Sequence, residues 1–312
     1  MRLDVKRVLK NYGILFAFVV VCAVLAFLSP VFLRWNNVLN IIRQSSIFGI
    51  MAVGMTFVIL TGGIDLSVGS ILAVSGALAA GMLKANAGLP SVILVALAVG
   101  SLLGLANGLI ITVGRITPFV TTLGMMSIAR SLTLIYCKGY PISGFNPSFR
   151  FIGGGDIAGI PFPIVVFLLV VVLAAVILHE TRLGRYTYAI GGNEETVRLS
   201  GIRTNFYKSA VYVFSGVTSA VSAIILISRL NSAEPVAGFG YELDVIAAVV
   251  IGGTSLNGGR GGVWGTLVGA LLIAVINNGM VLLGISPYFQ QLVKGFIILG
   301  AVLLDRLREE PT

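Results

Sequence analysis

The chain has 312 residues, of which 57% are apolar and 11% charged, with a mean hydropathy of +1.01. A soluble domain carries roughly 25% charged residues and about 45–50% apolar ones, so a polar globular exterior is excluded and lipid has to be the main solvent. The net charge of +9 would suit nucleic acid, but the 21 Lys and Arg are scattered between apolar runs and gather on one side of the expected membrane. That distribution argues against a phosphate-binding surface.

Taken from the N-terminus, Arg2, Lys6, Arg7 and Lys10 precede an apolar stretch from Tyr12 to Leu28, the order found in a secretory leader. No small-x-small cleavage site follows, and Pro30 and Trp35 close the segment, so an uncleaved first membrane helix is expected. A spanning helix needs about 20 mostly apolar residues. Such runs lie at 12–29, 39–60, 66–83, 91–113, 116–136, 162–178, 209–228, 243–256, 263–283 and 287–305, the eighth being short for a full crossing. Backbone groups in lipid must be satisfied within the segment, which makes these runs helices, and the alternation of a barrel is missing. The expected fold is an all-α integral membrane protein, one transmembrane domain over 1–312, with about ten transmembrane helices, some of them discontinuous.

Orientation follows from the basic residues. With the N-terminus in the cytoplasm, thirteen of the 21 Lys and Arg fall inside, including Arg115, Arg260 and a group between 179 and 208. The outer loops receive only Arg34, Lys84, Lys138, Arg150 and Arg229, so both termini are expected in the cytoplasm. Residues 138–161, rich in Gly, Pro, Ser and Asn, then form an outer loop, and 179–208 a charged cytoplasmic one. Within the latter, Asn193 suits a helix N-cap, with Glu194 and Glu195 in the first turn and Gly201 as the stop after Arg198. A short polar helix is expected there.

Thr61–Gly69 and Ile251–Gly259 form a faint internal echo, each preceding an apolar helix with a Gly-Ala pair, Gly76-Ala77 and Gly269-Ala270. Glycine permits close backbone approach and left-handed turns, so both stretches should interrupt helices, as half-helix ends on a polar pathway or as tight turns at the membrane surface. Asp65 in the first break is either a pathway group or a cap for the helix that follows. Arg43, Arg130 and Lys294 fall inside apolar spans, where a cation pairs with an acid, faces a cavity or snorkels. Asn277, Asn278, Gln290 and Gln291 suit hydroxyl-rich cargo, with interhelical hydrogen bonding as the alternative. Gly100, Gly104 and Gly108, and Gly265 with Gly269, are packing ladders.

Several chemistries find no residues. Gly253–Gly261 lacks the Gly-Lys-Ser/Thr end of a phosphate loop, and no G-x-S-x-G or H-E-x-x-H occurs. Cys22 and Cys137 have no metal-like spacing, and the single histidine, His179, reads as interfacial. The chain is not expected to be an enzyme or to bind a cofactor or metal.

Four stretches together resemble the bacterial ribose-type ABC transporter permeases, within the branched-chain amino acid/monosaccharide permease family. They are TGGIDLSVGS (61–70), RLGRYTYAIGGNEETVRLSGI (182–202), GYELDVIAAVVIGGTSLNGGRGGVWGTLVGA (240–270) and INNGMVLLGISPYFQQLVKG (276–295). The resemblance runs from about Leu28 to Leu304. It implies a permease in the bacterial inner membrane, paired with a second permease subunit, either a copy or a close paralogue. It further implies a cytoplasmic ATPase with two nucleotide-binding domains, which uses ATP and Mg, and an outer sugar-binding protein. The family's ATPase-coupling segment matches Gly192, Asn193, Glu194, Glu195, Arg198, Leu199, Ser200, Gly201 and Ile202. Outer stretches near 138–161 and 229–242 would meet the binding protein, and the cargo would be ribose or a related monosaccharide. Asp65, Asn277 and Gln290 are the pathway residues to test. The rival class is an ion-coupled secondary transporter or facilitator for a small polar solute, with Asp65 as its coupling site.

Overall fold

The computed structural model describes residues 5–308, with side chains for 13–303. Arg2 lies outside the described residues, and Lys6, Arg7, Lys10, Arg306 and Arg308, which entered the orientation count, lie outside the described side chains. The first half of the chain forms α1 (Val5–Leu28), α2 (Trp35–Leu60), α3 (Val68–Lys84), α4 (Leu89–Thr112) and α5 (Pro118–Cys137). A connection follows with β1 (Ile142–Ser143), α6 (Pro147–Gly154), β2 (Asp156–Ile157) and β3 (Ile160–Pro161). Then come α7 (Phe162–Glu180), α8 (Arg182–Leu199), α9 (Thr204–Leu230), β4 (Ser232–Ala233), α10 (Tyr241–Ile251), α11 (Val263–Leu282) and α12 (Pro287–Arg308).

Each of the ten apolar runs lies on a helix. Among the described residues, α2, α4, α5, α7, α9 and α11 are long and apolar enough to cross a bilayer, and 13–28, 68–84 and 287–303 are shorter apolar helices. The eighth run contracts to α10, 11 residues long. At 1.5 Å per residue that is about 16 Å, roughly half of a hydrocarbon core of ~30 Å. Two small antiparallel ladders add to the all-helical expectation: Ile142 faces Ala233 and Ser143 faces Ser232, while Asp156 faces Pro161 and Ile157 faces Ile160.

The helix α2 is the axis of the bundle, buried at every residue from Ser45 to Leu60. Around it pack α7, α9, α10 and α11. On the outside, α7 exposes Val165, Leu168, Leu169, Val172, Leu173 and Val176. Their three-and-four spacing makes one stripe, the face a membrane helix offers to acyl chains. In lipid there is little hydrophobic drive between helices, so close backbone approach has to supply the packing. The Gly100, Gly104 and Gly108 ladder does this against α9, where added Cβ atoms would strike the backbone of Gly216, Tyr212 and Ser209. Gly265 and Gly269 do the same against Ala248 of α10 and Gly252 just past its end. Both ladders are therefore packing surfaces within this chain.

Candidate functional site

The polar helix expected at Asn193 is present. Asn193 is extended (φ −162°, ψ 99°) and breaks α8 into two segments. Its Oδ1 accepts a hydrogen bond from the Thr196 amide at 2.9 Å, capping the second segment. Ser200 closes that segment and Gly201 follows in the left-handed region at φ +82°. Arg198 donates to Glu195 across one turn, while Lys208 reaches Glu194 at 2.9 Å and ties the segment to α9. The sequence reading missed that Arg182–Gly192 is also helical. The signal was Thr181, whose hydroxyl caps the Gly184 amide. Leu199 stands 78% exposed beside this charge cluster, and Phe206 at the start of α9 is 65% exposed.

Behind this exposed segment the two glycine-rich breaks meet. The Gly259 amide donates to the Leu60 carbonyl at 2.9 Å, joining the end of α2 to the loop after α10. Gly191 of α8 sits against the same carbonyl group. Tyr188 donates to the Gly261 carbonyl at 2.8 Å, and burial pushes its phenol above the ordinary value. Each helix ends in the same way. The amides of Gly62 and Gly63 return to Ile59 and Val58, and those of Gly253 and Thr254 to Val250 and Val249. Gly62 (φ +73°) and Gly253 (φ +88°) take the left-handed position such an ending requires. The internal echo is thus a repeated helix ending, with both copies at the α8 end of the bundle.

Asp65 lies in the first break and is fully buried. Its Oδ1 accepts from the Ser67 amide at 3.0 Å and from the Ser67 hydroxyl at 2.5 Å, and its Oδ2 from the Ser215 hydroxyl at 2.8 Å. Asn107 of α4 donates to Ser67 at 2.9 Å. This cluster fixes the entry into α3 and stitches it to α4 and α9.

The three cations inside apolar spans have three different partners. Arg43 reaches Asp156 of β2 at 3.1 Å, at the end of the bundle opposite α8. Arg130, roughly 18 Å along α5 from Pro118, donates to the carbonyls of Pro235 (2.9 Å) and Ala237 (2.7 Å). Of the stretch 229–242, expected as an outer loop, residues 232–233 stay in the ladder with β1, while 234–240 run past Arg130 of α5 and the start of α3 before α10 begins. Gly238 packs against Gly69. A cation in an apolar run, a short eighth span and two nearby glycines were the available signals. Lys294 of α12 forms an ion pair with Asp244 of α10 at 2.8 Å.

That ion pair lines a cavity of about 400 Å³ between α2, α9, α10, α11 and α12. Asn277 and Gln290 line it too, together with Gln44, Arg229 and Tyr241, while Ile47, Phe48 and Leu226 supply apolar wall. The structure therefore brings two of the three expected pathway residues together and leaves Asp65 in its own cluster. The neighbouring Asn278 points elsewhere. It exchanges two amide hydrogen bonds with Asn37 of α2, at 2.9 and 3.0 Å. Gln291 is exposed. Among the described residues no group of His, Cys, Asp and Glu has the arrangement of a metal site.

Residues 37–302 match the family described as branched-chain amino acid transport system / permease component. The chain is 48% identical over 307 residues to the ribose import permease protein of Bacillus subtilis, covering 98% of this chain and 95% of that protein. It is 48% identical over 299 residues to the ribose import permease protein of Escherichia coli K12, covering 95% and 93%. Against the D-allose transport system permease protein of the same strain it is 38% identical over 299 residues, covering 95% and 92%. No solved structure matches the chain.

Proposed function

The chain belongs to the branched-chain amino acid transport system permease family, and we propose that it is the membrane subunit of an ATP-driven, binding-protein-dependent importer of ribose or a related monosaccharide. The observation that carries this reading is 48% identity to ribose import permeases along nearly the whole chain. On this reading the protein sits in the inner membrane with ten crossings, α10 being a partial one, and with both termini in the cytoplasm. The α8 end is cytoplasmic, and the end carrying α6 and the two ladders faces out.

Two such subunits enclose the cargo path, as copies of this chain or as close paralogues. The segment Gly192–Ile202 seats on a partner ATPase, which binds ATP and Mg. Leu199 and the exposed Glu195–Arg198 pair offer that partner an apolar contact rimmed by charge, the composition of a docking surface. When the ATPase pair closes on ATP, it pushes α8 against the ends of α2 and α10, and the path alternates between outward and inward access. Such coupling requires ATP and the loaded binding protein to bind the two states with different affinities.

Uptake of labelled ribose into proteoliposomes tests the reading, with and without ATPase, binding protein and ATP. Uptake only with all components is expected. Equal uptake by the chain alone would favour a facilitator and overturn the proposal.

A further inference from the structure

The cavity at Asp244 and Lys294 presents both donors and acceptors, and one of its buried acceptors is unpaired. Asn277 is only 9% exposed, and its Oδ1 has no hydrogen-bond partner. A buried polar atom left unpaired is expensive unless something else supplies the missing bond. Gln290 donates its Nε2 to the Ile285 carbonyl at 2.8 Å, which leaves its Oε1 for the cavity. Both nearby cations already have one partner, Lys294 with Asp244 at 2.8 Å and Arg229 with Asn40 at 2.9 Å, and each keeps further N–H groups to donate. The unpaired Asn277 Oδ1 still needs a donor from whatever occupies the cavity. An anion, which only accepts, would leave that oxygen unpaired and would share the cavity with the Asp244 carboxylate. A neutral polyol brings several hydroxyls, each a donor and an acceptor, and has C–H surface for Phe48 and Leu226.

Position supports the same reading. Gln290 lies in the first turn of α12, and Arg229 and Leu230 at the end of α9 remote from α8. The cavity therefore lies toward the end of the bundle opposite the coupling segment. Its volume of about 400 Å³ falls at the small end of the ~300–1,000 Å³ range of small-molecule sites. That suits a single sugar ring.

We propose that this cavity is a transit subsite for one neutral monosaccharide, which Asn277 and Gln290 hold by its hydroxyls while the Asp244–Lys294 pair forms the floor. The subsite rests on the sugar-permease reading above. Cargo reaches it from the outer end, and the ion pair ties α10 to α12 beneath it. Opening that seam would release the sugar into the path that the two subunits enclose, and re-forming the pair would close the cavity behind it.

The test uses the full chain with its ATPase and binding protein in proteoliposomes. Cys22 and Cys137 are replaced by Ala, and Gln290→Cys is introduced as a reporter. A hydrophilic thiol reagent should label it, and saturating ribose should slow labelling about threefold or more. A sugar that the complex does not transport should leave the rate unchanged. Independently, Asn277→Ala should change the uptake ratio between two pentoses epimeric at one carbon by about threefold to tenfold, the span expected from one net hydrogen bond. A merely structural defect would instead lower the uptake of all sugars alike. Active wild-type uptake without protection at Gln290→Cys, or with an unchanged sugar ratio in Asn277→Ala, would overturn the subsite alone. Failure of wild-type uptake with every component present would overturn the permease reading with it.

Discussion

Replacing Gly191 by Ala probes the junction between α8 and the two glycine-rich breaks. A methyl at Gly191 would lie 3.0 Å from the Leu60 carbonyl carbon and closer still to its oxygen and to the Gly259 nitrogen, against the 3.4–4 Å of ordinary contact. Those neighbours are backbone atoms that cannot rotate aside. Relief requires α8 to withdraw and strains or breaks the 2.9 Å bond from Gly259 to Leu60. Overpacking of this kind costs about 1–3 kcal/mol, and a lost hydrogen bond about 0.5–1.5 kcal/mol. Alanine recovers roughly 0.5–1 kcal/mol of helix preference over glycine, so the clash wins by about 0.5–4 kcal/mol. At 1.4 kcal/mol per factor of ten, that is roughly a twofold to several-hundredfold shift in the junction's equilibrium. Gly192→Ala is the matched control, because a methyl there meets nothing within 4 Å. In detergent, Gly191→Ala should lower the thermal unfolding midpoint, while Gly192→Ala should leave it unchanged or slightly raised. In proteoliposomes, Gly191→Ala should also reduce ATPase stimulation and sugar uptake together. A Gly191→Ala protein with wild-type midpoint and wild-type stimulation would refute the account of this junction.

The pair Glu195→Lys with Arg198→Glu reverses an ion pair whose side chains are 58% and 66% exposed. Exposed pairs contribute about 0–1 kcal/mol, so insertion and stability should hold while ATPase stimulation and uptake are abolished; undiminished uptake by correctly inserted protein would remove the coupling assignment. Arg130→Lys keeps the charge but loses the two-pronged grip on Pro235 and Ala237. With charge-assisted bonds worth about 1.5–3 kcal/mol each, a Val236→Cys reporter on the 234–240 segment should react faster in Arg130→Lys than in its parent, and equal labelling would contradict the pin. For Asn37 and Asn278, a double-mutant cycle to Ala should give a coupling of about 1–2 kcal/mol, since membrane hydrogen bonds average about 0.6 and reach about 1.7 kcal/mol each. Additive single mutants would mean that the two amides do not depend on each other.

Legibility in the sequence depended on whether a residue's partner was local. The ten apolar runs, the Asn193 cap and the Gly201 stop follow from composition and spacing within a few residues; the runs all fall on helices, six of them long and apolar enough to cross a bilayer, and the cap and stop appear where expected. Asn277 and Asn278 show the opposite case. Two identical side chains in adjacent positions point about 100° apart on a helix, one toward Asn37 and one into the cavity. Only packing decides which is which. Asp65 had two readings because its partners, Ser215 and, through Ser67, Asn107, are remote in sequence. The course of 234–240 was hidden for the same reason. Arg130 was open to an acid, a cavity or snorkelling, and it is satisfied by carbonyls from a segment about a hundred residues later.

The arrangement of these parts limits how a push on α8 can reach the cavity. Leu60 at one end of α2 touches Gly191 of α8, beside the proposed coupling segment, and Gln44, Ile47 and Phe48 near the other end line the cavity. The span from Gln44 to Leu60 is roughly 24 Å at 1.5 Å per residue. It is closely packed, and Gly54 is seated so tightly on Ser215 and Thr218 that a methyl there would meet the Ser215 Cα at 3.0 Å. That contact resists rotation of α2 against α9, so the two helices should move as one body. The second route, α10, is short, is preceded by the unwound 234–240 stretch, and carries Asp244 at one end and the second break at the other. A rigid α2–α9 unit beside a short, hinged α10 places the compliant seam between α10 and α12, where Asp244 meets Lys294. Movement delivered at α8 should therefore open the cavity along that seam in preference to the α2–α9 face. Cross-linking α10 to α12 should block uptake while leaving ATP binding to the ATPase intact, whereas cross-linking α2 to α9 should be tolerated. The reverse pattern would place the moving seam on the other side of the axis.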